Sequence, residues 1–132
     1  LKHGHEWWDP NGKFVWYVHY GEGTKKFDIL NGKDEMVWPN RNASHSHSSA
    51  DGRYLAGDIS AYTGSKEIKV LFYDSHLKKE TAIVSSMAGL PEQARYHIHP
   101  HPQFCAGDRY VCYTTTVLGR SNLALAPVRG LL

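Results

Sequence analysis

Short apolar and aromatic runs, separated by Gly, Asn and Asp, recur along the whole 132-residue chain. Helical periodicity is hard to find, whereas runs of this kind are typical of β-strands joined by tight turns. The pattern predicts an all-β protein with strands at about 4–8, 13–20, 25–30, 35–38, 44–48, 53–60, 67–74, 79–85, 98–104, 109–116 and 121–127. Only 86–96 reads as an extended loop, with one helical turn expected at 91–94.

Three segments repeat the same order of a short strand, a tight turn and a longer strand. Their turns are Asn11-Gly12, Asp51-Gly52 and Gly107-Asp108, each followed by a basic, an aromatic and an aliphatic or β-branched residue. Four strands in a period of about 40 to 50 residues are typical of a β-propeller blade. A plain β-sandwich is the alternative architecture, but it gives no reason for the same sequence to return.

The repeat predicts one partial β-propeller domain over 1–132, with blades at about 4–38, 44–85 and 98–127. This amounts to two complete four-stranded blades and three strands of a further blade. Because a propeller closes with four to eight blades, 132 residues cannot close a ring alone. We therefore expect either a portion of a larger propeller or self-association of copies that completes the ring.

The charge and the apolar runs of the chain bear on two classes of partner, nucleic acid and membranes. Fifteen Lys and Arg residues against 13 Asp and Glu residues give a formal net charge of +2, with no basic block. No apolar run approaches the roughly 20 residues that a membrane helix needs. The sequence therefore gives no reason to expect nucleic acid or a membrane as a partner.

Histidine is the unusual feature of the composition. Six of the nine histidines form pairs spaced two apart, at 3 and 5, 45 and 47, and 99 and 101. His5, His45 and His101 each stand six residues before the repeated turn, on what would be the innermost strand of a blade. We expect these rings to meet at one mouth of the channel. Gathered imidazoles suit a divalent metal, and a neutral imidazole is also a general base near neutral pH, so His45, His99 and His101 predict a metal or anion site.

Three motifs around these histidines resemble the oligogalacturonate lyase family. They are His5-Glu6-Trp7-Trp8-Asp9-Pro10-Asn11-Gly12, then Ser44-His45 before Asp51-Gly52, then His99-Pro100-His101-Pro102-Gln103-Phe104. The resemblance covers nearly all of the chain and implies the C-terminal part of a seven-bladed propeller with TolB-like blades. It also implies a lyase that binds Mn²⁺ in its channel and cleaves short pectin fragments by β-elimination.

The resemblance implies a role for each matched histidine. His5 matches the proton-abstracting base, whereas His45, His99 and His101 match three metal ligands, with Mn²⁺ the expected cofactor. His47 is a further candidate ligand. The implied partner is an acidic oligosaccharide of the digalacturonate kind, and the implied location is the bacterial cytoplasm. No residue is assigned to substrate binding.

The chain departs from the family at two points. Tyr96 stands where the family has a glutamine ligand, so His97 or a water would have to take its place. The family's catalytic arginine lies upstream of the stretch represented here. Two further readings therefore stay open beside a carbon–oxygen lyase: a catalytically inactive module that binds a metal or an acidic sugar, and a TolB-like interaction scaffold.

Overall fold

The computed structural model describes residues 2–60, 67–87 and 98–132 and forms eleven β-strands within them. The strands are β1 His3–Trp8, β2 Phe14–His19, β3 Gly23–Asp28, β4 Lys33–Trp38, β5 His45–Ser48, β6 Tyr54–Ile59, β7 Ile68–Asp74, β8 Lys79–Met87, β9 Gln103–Cys105, β10 Tyr110–Thr115 and β11 Asn122–Pro127. Among the described residues, a 3₁₀ turn follows β11 at Val128–Gly130. Within the described ranges, no helix is long and apolar enough to cross a membrane.

The strands form three antiparallel sheets in which consecutive strands pair. The first sheet contains β1 to β4, the second β5 to β8 and the third β9 to β11. The predicted all-β propeller architecture, with two four-stranded blades and three strands of another, is confirmed. Each repeated turn contains a glycine with a left-handed backbone: φ is 64° at Gly12, 73° at Gly52 and 66° at Gly107. Glycine adopts this conformation without steric cost, which explains why it recurs in the turn signature.

The second sheet packs between the other two. Leu55 on β6 belongs to a core cluster with Trp38 of the first sheet, whereas its neighbour Ala56 belongs to a cluster with Val111 of the third sheet. Neighbouring residues of a strand point to opposite faces, so one strand contributes to both cores. β5, the innermost strand of this sheet, contacts both β1 and β9. The segments that carry the paired histidines are therefore adjacent.

One predicted strand is much shorter in the structure. The sequence predicts a strand over 98–104, but β9 covers only Gln103–Cys105. Pro100 and Pro102 lack the N–H that a ladder hydrogen bond needs, and His101 between them has a left-handed φ of 44°. The histidines of this segment therefore lie on an irregular approach to the strand.

The predicted loop at 86–96 also differs at its start, because β8 continues to Met87. The expected helical turn at 91–94 lies outside the described residues. So do Tyr96 and His97.

Candidate functional site

Three of the predicted histidines meet where the inner strands begin. His5 lies on β1, His45 is the first residue of β5, and His101 lies two residues before β9. One ring nitrogen from each lies within 4.8 Å of the other two. These are the three residues that share a spacing of six residues from the repeated turn.

His45 is the central ring of this group. Its centroid lies 3.7 Å from that of His101, 4.1 Å from that of His5 and 4.9 Å from that of His99. The Nδ1 atom of His99 is 3.3 Å from Nε2 of His45. We refer to His5, His45, His99 and His101 as the histidine cluster.

Asp58 is a member of the site that the sequence analysis missed. It lies on β6 directly opposite His45 and is fully buried. Its carboxylate lies 2.8 and 2.9 Å from Nδ1 of His45 and accepts the backbone N–H groups of His45 at 3.1 Å and His101 at 2.9 Å. An acidic residue within an otherwise apolar strand was the available sequence signal, since a buried acid needs partners.

Partial burial and the neighbouring His45 ring favour the neutral form of His5 and His101. Burial, followed by the neighbouring His45, lowers the pKa of His101 to about 4. The same two causes, in the same order, lower the pKa of His5. At neutral pH each ring therefore retains a nitrogen lone pair, which is required of a metal ligand and of a general base.

The backbone is distorted at two of the histidines. His5 has a φ of 56° and His101 a φ of 44°, in the left-handed region that non-glycine residues rarely adopt. The pairing of β1 with β2 is irregular between Gly4 and Trp7, so His5 sits at a bulge. Bulges and strained backbones often reorient side chains at functional sites.

A cavity of about 230 Å³ opens beside the cluster. Its lining residues are His5, Glu6, Trp7, His45, Ser46, His47, His101, Pro102 and Gln103. His47 stacks on Trp7 at a centroid distance of 5.5 Å, and burial lowers its pKa. Its Nδ1 finds no hydrogen-bond partner among the described residues. Because it stacks on Trp7, His47 lines the cavity on the side of that residue.

His3, the partner of His5 in the first histidine pair, lies apart from the histidine cluster. His3 is exposed, has its Nδ1 3.2 Å from a carboxylate oxygen of Glu6, and packs edge-on against Tyr17. It is absent from the group of converging nitrogens. Membership of a pair spaced two residues apart is thus not enough to place a histidine in the cluster.

The residues present fit a divalent metal of the kind that imidazole binds. Three nitrogens converge within 4.8 Å, and the rings of His5 and His101 are held neutral. His45 also has a carboxylate behind its ring, an arrangement usual for metal-binding histidines. His5 is as close as the others, so geometry permits it to act as a ligand or as a base.

The chain is similar in fold to known β-propeller proteins. No protein-family model matches the chain. The solved structure of TolB from Acinetobacter baumannii matches with a TM-score of 0.73 at 12% identity, over 98% of this chain and 31% of that one. Together with the three successive antiparallel sheets, this likeness shows a segment of a TolB-like β-propeller.

Within that class, the chain resembles the oligogalacturonate lyases, as its motifs predict. Oligogalacturonate lyase of Dickeya dadantii is 30% identical over 94% of this chain. A solved oligogalacturonate lyase in complex with manganese matches with a TM-score of 0.73 at 23% identity, over 95% of this chain and 35% of that one. The chain spans 36% of the length of the curated relatives that it matches.

Proposed function

We propose that this chain forms the metal-binding part of a lyase that cleaves short galacturonate oligosaccharides by β-elimination. The observation that carries the proposal is the convergence of the ring nitrogens of His5, His45 and His101 beside an open cavity. His99 lies next to this group, with its Nδ1 3.3 Å from Nε2 of His45. The likeness to oligogalacturonate lyases supports the reaction type. Because the chain spans about a third of these relatives, the activity is proposed for the protein in which the propeller is complete.

In this proposal His45, His99 and His101 hold a divalent cation, with Mn²⁺ the expected ion. The likeness to a manganese complex supports this choice, and His47 is an additional candidate ligand on the cavity wall. When bound, the cation would neutralise the uronate carboxylate and so make the adjacent C5 proton more acidic.

His5 is the proposed base. Its neutral ring accepts the C5 proton, the released electron pair forms the C4–C5 double bond, and the C4–O bond breaks. The departing oxygen takes a proton from water, and the hydroxide that remains accepts the proton held by His5. One glycosidic bond is thus replaced by an unsaturated sugar and a free hydroxyl, and His5 is neutral again. The cavity beside His5 supplies an approach for the sugar ring.

The remaining parts of the proposal follow from the resemblance. The partner is an acidic oligosaccharide, and the location is the cytoplasm of a bacterium, since the curated relatives are bacterial. The chain is one partial propeller domain over 1–132, completed by further blades or by self-association.

His5→Gln tests the division of roles within the cluster. A general base typically contributes a factor of about 10² to 10⁴, so we expect kcat to fall by that factor while bound Mn²⁺ stays near the wild-type level. The measurements are ultraviolet absorbance of the unsaturated product from digalacturonate and metal content by mass spectrometry. His3→Gln is the matched control, because His3 is on the same strand outside the cluster.

Two results would contradict this assignment. Wild-type turnover in His5→Gln would exclude His5 as the base, and loss of Mn²⁺ in that variant would make it a ligand.

Absence of unsaturated product from the Mn²⁺-loaded wild type would favour a module that binds an acidic sugar without cleaving it. Tyr96, in place of the glutamine ligand of the family, is the observation that favours this second function.

A further inference from the structure

Asp58 joins the two segments that carry the proposed ligands. It lies on β6 and accepts the backbone N–H of His45 on β5 and that of His101 before β9. Its carboxylate also lies 2.8 Å from Nδ1 of the His45 ring. His101 is 43 residues away in sequence and belongs to the approach to the third sheet. One buried carboxylate therefore holds groups from two different blades.

The backbone contacts decide the proton position on His45. Oδ1 of Asp58 accepts the N–H of His45, and Oδ2 accepts the N–H of His101. This pattern fits an ionised carboxylate, which can only accept hydrogen bonds. With Asp58 ionised, Nδ1 of His45, at 2.8 and 2.9 Å from these oxygens, is the donor. The lone pair of the neutral ring then lies on Nε2, which faces Nδ1 of His99 at 3.3 Å.

The contact to His101 acts on a strained backbone. His101 adopts a φ of 44°, a conformation that is unfavourable for a non-glycine residue and persists only where its surroundings enforce it. A hydrogen bond from its N–H to a fully buried carboxylate is such a restraint.

We propose that Asp58 is a positioning residue that fixes His45 in its Nδ1–H tautomer and anchors the backbone of His101, so that both rings present nitrogen to the same point. The proposal concerns the site described under the proposed function and rests on it for the identity of the ligand. Its structural part, the tautomer of His45, can be tested without any metal.

Asp58→Asn is the informative substitution because it keeps the shape of the side chain. The carboxamide has one acceptor oxygen, so if that oxygen keeps the N–H of His101, its NH₂ group faces Nδ1 of His45. This arrangement favours the Nε2–H tautomer and removes the lone pair from the cluster. Asp74→Asn is the matched control: Asp74 is also buried, but it lies at the other end of the second sheet and pairs with Arg53.

The experiment combines nitrogen-15 NMR of the metal-free protein with Mn²⁺ titration, using His45→Gln to assign the ring signals. We expect the Nδ1–H tautomer in the wild type, a shift towards Nε2–H in Asp58→Asn, and a 10- to 100-fold weaker Mn²⁺ affinity in that variant. We expect Asp74→Asn to keep the wild-type tautomer and affinity.

The proposal is overturned by an Nε2–H tautomer of His45 in the wild type, a result that needs no variant to fold. It is equally overturned by an unchanged tautomer and affinity in a folded Asp58→Asn. If the wild type binds no Mn²⁺, the proposed function fails, and the tautomers of the wild type and Asp58→Asn still decide the role of Asp58.

Discussion

His45 differs from His5 and His101 although all three occupy the same position relative to a repeated turn. His45 is 5% exposed, begins a regularly paired strand and contacts Asp58. His5 and His101 are exposed and have left-handed backbones. The shared spacing brings the three rings to one place, but only His45 has a ring fixed from behind by a carboxylate.

The difference arises from the local sequence of each inner strand. All four residues of β5 pair in register with β6, whereas β1 is irregular after Gly4. His101 is flanked by Pro100 and Pro102, which cannot donate to a ladder. The repeat therefore sets where a side chain lies, whereas its strand partners set how firmly it is held.

His45→Gln should produce the largest effect on metal binding. Loss of a partner behind a metal ligand typically costs 10- to 100-fold in affinity, so loss of the central ring itself should weaken Mn²⁺ binding by about 100-fold or more. Calorimetric titration of the purified protein measures this. His76→Gln is the control, because His76 follows β7 at the opposite end of the sheet. A loss in His5→Gln as large as in His45→Gln would remove the distinction between the two rings.

Gly57→Ala and Gly4→Ala compare the supports of the two regions. A Cβ at Gly57 would overlap the indole of Trp38 and lie 2.8 Å from the carbonyl oxygen of His45. A Cβ at Gly4 would meet the side chain of Tyr20, with its hydroxyl oxygen at 2.7 Å. Overpacking of a buried region typically costs about 1–3 kcal/mol, so we expect that loss at Gly57 and a smaller one at Gly4, where a partly exposed side chain can move.

Chemical denaturation of both glycine variants gives the free energies of unfolding. Equal losses at the two positions would show that the surroundings of His5 are as rigid as those of His45. A greater loss in Gly4→Ala would reverse the comparison.

The sequence predicted the fold well because its signals were local. Turn glycines such as Gly12 and Gly52 and short apolar runs depend only on neighbouring residues, and the sheets of four, four and three strands followed from them. The strand predicted over 98–104 is reduced to Gln103–Cys105 because Pro100 and Pro102 remove ladder donors.

The site was less predictable because its key contacts join distant segments. The repeat predicted that His5, His45 and His101 would meet, and their nitrogens do converge. The role of Asp58 depends on its register opposite His45 and on a hydrogen bond to a residue 43 positions later. Neither is encoded in a short motif, although an acid within an apolar strand indicates that such a partner exists.

The smallest expected effect concerns the backbone conformation at His5 and at His45. Substituting each histidine by glycine and by alanine measures it. At His5, with a φ of 56°, alanine carries a left-handed penalty of about 1–2 kcal/mol that glycine lacks. At His45, in a regular strand, glycine should be less stable than alanine by about 0.5–1 kcal/mol. Both variants at a position lose the same imidazole contacts, so the difference between them reports the backbone.

The expected result is thus a reversal of sign: His5→Gly is more stable than His5→Ala, whereas His45→Gly is less stable than His45→Ala. Urea denaturation of the four metal-free proteins measures the free energies of unfolding. If alanine is the more stable residue at both positions, His5 has an ordinary extended backbone in solution. Its closeness to His45 would then need a cause other than the bulge in β1.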